Sequence, residues 1–142
     1  KDFVKLFAKK YQKQLLKNKD MVHSLSYSYI EETKNLMPKI TTSYILPFNL
    51  FGVPFTNANA FTMEYTTLNQ SFIENAHLQQ KKVFAWTAND EESMDRMIFM
   101  GADGVITDNL SELQTENDNL FKNTSYTKRI TAYISQMQDP FE

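Results

Sequence analysis

The chain has 142 residues, of which 42% are hydrophobic and 23% charged, with a formal net charge of −2. That length supports one domain with a real core, and no apolar run reaches the roughly 18 residues a membrane-spanning helix needs. The absence of cysteine excludes disulfides and thiolate chemistry without deciding a compartment. The near-neutral charge gives no general case for nucleic acid, and no signal peptide is legible at the start.

Residues 1–19 hold seven lysines against one acid, Asp2, a charge of +6, so the other residues sum to −8. Phe3, Phe7, Tyr11 and Leu15 recur every four residues beside Val4, which predicts an amphipathic helix over 2–18. Its lysines read as a solvated face; docking on anionic lipid or phosphate is the alternative. A beginning without Met, already in helix, reads as an excised or processed piece.

Residues 21–26 form a strand candidate. Ser28 and Glu31 have capping-box spacing, and the helix they open should stop before Pro38. Residues 40–46 are β-branched and aromatic, hence a strand. Pro47, Gly52 and Pro54 punctuate a long loop over 47–59, a length usual in lids and binding loops. Residues 60–66 form a further strand. Leu68, Phe72, Ile73 and Ala76 mark a helix to about Gln80, and the apolar run in 82–87 suits a parallel strand buried on both faces. Asn89 with Glu92 predicts the next helix start, Met94, Met97 and Ile98 its buried stripe, and Gly101 its left-handed end. Residues 105–107 form the last strand, and the stretch from 111 on is polar, with a weak helix near 127–137. Strand–helix–strand units in series imply right-handed crossovers and a parallel sheet.

In such folds function gathers at the carboxyl ends of the strands. The candidates there are Ser24, Ser26, Tyr44, Glu64 with Tyr65, Trp86 with Asn89, and Thr107 with Asp108. Trp86, the only tryptophan, reads equally as core or as an apolar wall whose indole N–H donates to a ligand. Glu64 stands in an apolar strand whose alternation puts Thr62, Glu64 and Thr66 on one face and Phe61, Met63 and Tyr65 on the other. It is a candidate for metal or substrate hydroxyls. Asn89 reads first as a helix cap, as does Asp108, whose alternative is a pocket rim. His23 falls in a strand with no evident partner, and His77 on an exposed helix face. No His/Asp/Glu cluster has metal-ligand spacing, and Asp90-Glu91-Glu92 reads as favouring a helix N-terminus rather than binding Ca²⁺.

Trp86-Thr-Ala-Asn89, a short acidic helix and Gly101-Ala-Asp-Gly-Val-Ile-Thr-Asp108 together resemble the C-terminal signature of the glycerophosphodiester phosphodiesterase family. The likeness extends to Val22-His-Ser-Leu-Ser26 and to Pro38 with the strand that follows. It covers roughly residues 20–112. The stretch 61–69 is similar to the membrane-domain branch, so that membrane association of the parent is an expectation too. The chain departs from the pattern at Ala88, where Val is usual, and at Asn109-Leu110, where proline is common.

The resemblance implies an α/β fold, the C-terminal half of a (β/α)8 barrel of the phospholipase-C-like type, with residues 1–142 a single partial domain and 113–142 its polar tail. It implies a hydrolase that cleaves glycerophosphodiesters to an alcohol and glycerol 3-phosphate with a divalent cation, Ca²⁺ or Mg²⁺. The family's His-Arg-Gly, Glu-x-Asp, second His and Glu-x-Lys motifs are not in this sequence. No catalytic residue or metal ligand is therefore expected here, and the chain alone should be inactive. Trp86 and Glu64 are the expected substrate-binding residues. An uncovered half-barrel should pair, with the missing N-terminal half or with a second copy as a homo-oligomer. A non-catalytic assembly module is the alternative function.

Overall fold

A computed structural model describes residues 2–48 and 52–122. The elements run α1 (Asp2–Asn18), β1 (Met21–Ser24), α2 (Tyr27–Leu36), β2 (Thr41–Leu46) and β3 (Ala60–Glu64), then a 3₁₀ turn (Tyr65–Thr67), α3 (Gln70–Leu78), β4 (Lys82–Trp86), α4 (Glu91–Met100), β5 (Gly104–Val105) and α5 (Leu110–Lys122). All five strand candidates are found. The expected helix at 127–137 lies outside the described residues, whereas α5 fills a stretch read as polar tail.

The strands form one parallel sheet in the order β1-β2-β3-β4-β5. A doubly wound sheet reverses its order at a switch point and takes helices on both faces. Here the order never reverses, so right-handed crossovers put successive helices on the same face. The result is the expected α/β part-barrel, five consecutive strands of the eight that a closed (β/α)8 barrel needs.

That outer, helix-covered face holds the core. Phe61 and Met63 of β3 and Val83 and Ala85 of β4 pack on Phe72, Ile73 and Ala76 of α3 and Met97 and Met100 of α4. A second cluster joins Ala8 of α1 to Met37 and Ile40, with Phe7, Leu15 and Val22 against it. The register pairs His23 with Ser43, Thr62 with Phe84 and Glu64 with Trp86. Because side chains alternate along a strand, these residues take the opposite, inner face. The alternation expected for β3 thus holds through Glu64, where the chain turns into the 3₁₀ segment.

Three local expectations need correction. In α1 the buried stripe is Val4 and Ala8, while Phe3 and Leu6 are 64% and 67% exposed. The aromatic series at four-residue spacing makes a ladder, Phe3–Phe7–Tyr11, with ring centroids 6.3 and 5.3 Å apart, of which Phe7, like Leu15 of the same series, also packs on the second core cluster. The second helix starts two residues earlier than the Ser28–Glu31 box places it. Ser26 takes the N-cap position without a side-chain cap bond, its hydroxyl lying 2.9 Å from that of Ser28. α4 is capped by Asp90, which accepts from Ser93 N at 2.9 Å, and not by Asn89. This bond holds the Asp90 carboxyl below its ordinary pKa, and the Ser93 hydroxyl adds to the effect. Gly101 ends the helix as expected, at φ 86°.

Lys81 anchors the end of the long loop before β3, donating to the Thr56 and Ala58 carbonyls at 2.7 and 2.6 Å. Burial and the nearby charge of Lys34 push the Lys81 pKa down. His77, expected to be inert, meets Asp103 at 2.9 Å, and the same carboxylate oxygen accepts from Val83 N. Both contacts lie at the amino ends of the strands, where a barrel invests in stability rather than chemistry.

Candidate functional site

The carboxyl ends of β3, β4 and β5 bring the strongest candidates together. Glu64 and Trp86 are register partners at the ends of adjacent strands. Trp86 is half-buried, and its indole Nε1 is enclosed with no hydrogen-bond partner among the described residues. A buried donor left unmet costs about 1–3 kcal/mol, so the ring is poorly explained as inert core. The Trp86–Thr87 peptide bond is cis. The Glu64 carboxylate is held locally, accepting from Thr66 N at 3.0 Å and from the Thr66 hydroxyl.

Asn89 does something the sequence did not announce. Its Oδ1 accepts from Asp108 N at 2.8 Å and from the Thr107 hydroxyl at 3.0 Å, and its Nδ2 donates to Asp108 Oδ2 at 2.9 Å. A backbone bond from Ala88 N to Ile106 O, 3.1 Å, runs alongside. The loop after Trp86 is thereby strapped to the loop after β5. Asp108 serves this strap rather than a cap, and Asn109, whose Oδ1 receives Glu112 N at 3.4 Å and the Ser111 hydroxyl at 3.1 Å, caps α5 instead. The signal was the pairing of Asn89 with Thr107-Asp108 across two strand ends. Adjacency to an acidic helix start disguised it.

Other candidates separate. Tyr44 points to the helix side, packing on the outer core and on Tyr27 with centroids 5.6 Å apart. Tyr65 packs on the same outer core. Ser24 Oγ accepts from Ser26 N at 3.0 Å, a turn contact. His23, which had no evident partner, has one: its Nδ1 lies 3.0 Å from Thr62 Oγ1, itself 2.7 Å from Ser43 Oγ.

Among the described residues one acidic trio, Glu91, Asp95 and Glu116, has carboxylate oxygens within 4.8 Å of one another. It belongs to α4 and α5, on the helix layer and away from the inner face. Glu64 is the only carboxylate that the strands themselves place on the inner face, and its oxygen is engaged by Thr66. Ca²⁺ and Mg²⁺ require several oxygen ligands, so Glu64, even with Asp108 of the loop after β5, would need further ligands from elsewhere. No described helix is long and apolar enough to cross a membrane.

A parallel sheet in unreversed order with helices on one face, and polar loops joined at the strand ends, defines part of a (β/α) barrel. Residues 8–112 match the Glycerophosphoryl diester phosphodiesterase family, and the chain belongs to it. YhdW of Bacillus subtilis (strain 168), which carries a provisional glycerophosphodiester phosphodiesterase name, is 29% identical over 97 residues, covering 63% of this chain and 40% of YhdW. A glycerophosphodiester phosphodiesterase from Parabacteroides distasonis ATCC 8503 superposes with a TM-score of 0.70 at 23% identity, over 80% of this chain and 49% of that one. An Oleispira antarctica phosphodiesterase, solved with its product sn-glycerol-3-phosphate, gives 0.61 at 20% identity, over 69% and 41%. The chain thus spans half or less of the length of these relatives.

Proposed function

We propose that this chain forms the C-terminal part of a glycerophosphodiester-hydrolysing barrel and supplies a wall of its substrate pocket. Family membership supports the reaction class, the release of an alcohol and glycerol 3-phosphate from a phosphodiester. The observation that carries the local role is Trp86, whose enclosed indole N–H lacks an acceptor among the described residues at the carboxyl end of β4. The ring would cover the glycerol carbons, and its N–H, enclosed as placed, would meet a ligand oxygen only once the ring turns. Glu64, its register partner, is proposed to contact substrate hydroxyls. The divalent cation, Ca²⁺ or Mg²⁺, and the acid–base residues are assigned to the remaining strands of the barrel. Those strands come from an N-terminal half; pairing with another copy would cover the sheet edges without supplying those residues. Taken alone, 1–142 is then a single partial domain without hydrolytic activity.

The test uses the one tryptophan. Titrating the purified chain with sn-glycerol 3-phosphate should change Trp86 emission saturably, and Trp86→Phe should abolish the response. An emission spectrum indifferent to the ligand counts against the pocket wall. Incubation with glycerophosphocholine and either cation should release no glycerol 3-phosphate, and metal-dependent release by the chain alone overturns the division of labour. The alternative, a non-catalytic assembly module, predicts self-association with no ligand response.

A further inference from the structure

Ser43, Thr62 and His23 form a chain of polar groups across the middle of the inner face. Ser43 and Thr62 are 0% and 3% exposed, so water does not complete their hydrogen bonding. The His23 ring, more exposed, stands edge-on to Phe84 with centroids 6.4 Å apart. The directions of the two bonds follow from counting protons. If Nδ1 carried the imidazole proton, it would donate to Thr62 and Thr62 would donate to Ser43. The Ser43 proton would then have no acceptor among the described residues, a buried donor left unmet. In the reverse direction Ser43 donates to Thr62, Thr62 donates to Nδ1, and every hydroxyl proton is used. His23 then carries its proton on Nε2. Burial lowers the imidazole pKa, which keeps this form neutral at pH 7.

We propose that His23 is a ligand-reading residue: a neutral imidazole fixed as the Nε2–H tautomer by Thr62 and Ser43, offering that N–H on the inner face to a phosphoryl oxygen. Nε2 has no protein partner among the described residues, and the ring is exposed. An exposed ring donor without an acceptor suits a ligand with acceptor oxygens, whereas an amine or a metal ion would leave it unmet. The choice of ligand rests on the phosphodiester reading above; the tautomer does not.

Nitrogen-15 NMR of the imidazoles decides the tautomer, because His23 and His77 are the only two histidines and His77→Gln removes the other set of signals. An unprotonated Nδ1 and a protonated Nε2 at His23 are expected. Thr62→Val should release the ring to a tautomer mixture and Thr62→Ser should restore it. A protonated Nδ1 in the unaltered chain overturns the proposal, whatever the variants do. Inorganic phosphate and sn-glycerol 3-phosphate are then titrated separately. A shift at His23 Nε2 with both assigns it to the phosphoryl group, and His23→Phe should weaken binding about tenfold, the loss of one hydrogen bond to a charged group. A ligand that moves Trp86 but leaves His23 unchanged overturns His23 and leaves the pocket reading standing. Silence at both residues overturns both.

Discussion

The two faces of the sheet follow opposite rules. The outer face is a continuous apolar seam in which β3 and β4 side chains meet two helices and almost nothing reaches water. The inner face carries hydroxyls, an imidazole, aromatic rings and one carboxylate. Burial energy therefore resides on one side, and the polar groups proposed for recognition on the other. The same strands serve both because neighbouring side chains point opposite ways.

The contrast can be broken from either side. On the outer face Phe61→Ala empties a fully buried site packed against Phe72 at 5.5 Å between centroids. A loss of about 3–5 kcal/mol is expected in urea unfolding, as for other large-to-small core changes. On the inner face Gly104 lets β5 pass under the Phe84 ring, since an added Cβ would lie 2.8 Å from Phe84 Cδ1. Phe84 is only half-buried and can give, so Gly104→Ala should cost about 1 kcal/mol, the low end for overpacking. Asp90→Ala removes the α4 cap and should cost about 1 kcal/mol, with no change in Trp86 emission.

Asn89→Ala is expected to divide the other way. It should alter stability less than the Phe61 change, because the strap is exposed, yet shift Trp86 emission to the red and raise its quenching by acrylamide. The smallest effect concerns pH. Burial lowers the His23 pKa, so the unfolded chain takes up a proton first as pH falls. The stability due to neutral His23 is full above the unfolded value of about 6.5 and is lost as pH falls through the folded one. His23→Gln should make the urea midpoint fall less than that of the unaltered chain between neutral and mildly acidic pH.

Much of the outer face was legible in the sequence. β-branched composition, apolar runs and turn punctuation placed all five strands, and helical spacing placed the buried stripes at Phe72–Ile73–Ala76 and at Met94 and Met97, though Ile98, read as part of the latter, is only partly buried. Where side chains chose between nearby partners, the sequence was ambiguous. Asn89 and Asp90 both qualify as caps, and only the position of β5 shows that Asn89 bonds across to Thr107 and Asp108. His23 lacked a partner in its own neighbourhood because Thr62 is 39 residues away. The site residues Trp86 and Glu64 were legible as candidates through their place at strand ends. The roles assigned to them rest on the proposal above.

The order of the sheet has a consequence for how the chain folds. Each strand pairs only with its neighbours in sequence, so no long excursion of the chain must close before a ladder can grow. Such a sheet can be laid down one βα unit at a time, with β3 and its helix as the natural seed, since β3 shares the longest ladder, five pairs with β4, and pairs over four residues with β2. Native-state hydrogen exchange would then grade outward, slowest in β3 and fastest in the two-residue β5. A parallel sheet is normally slow to form because its contacts are distant; this one keeps each of them within a single repeat of the chain.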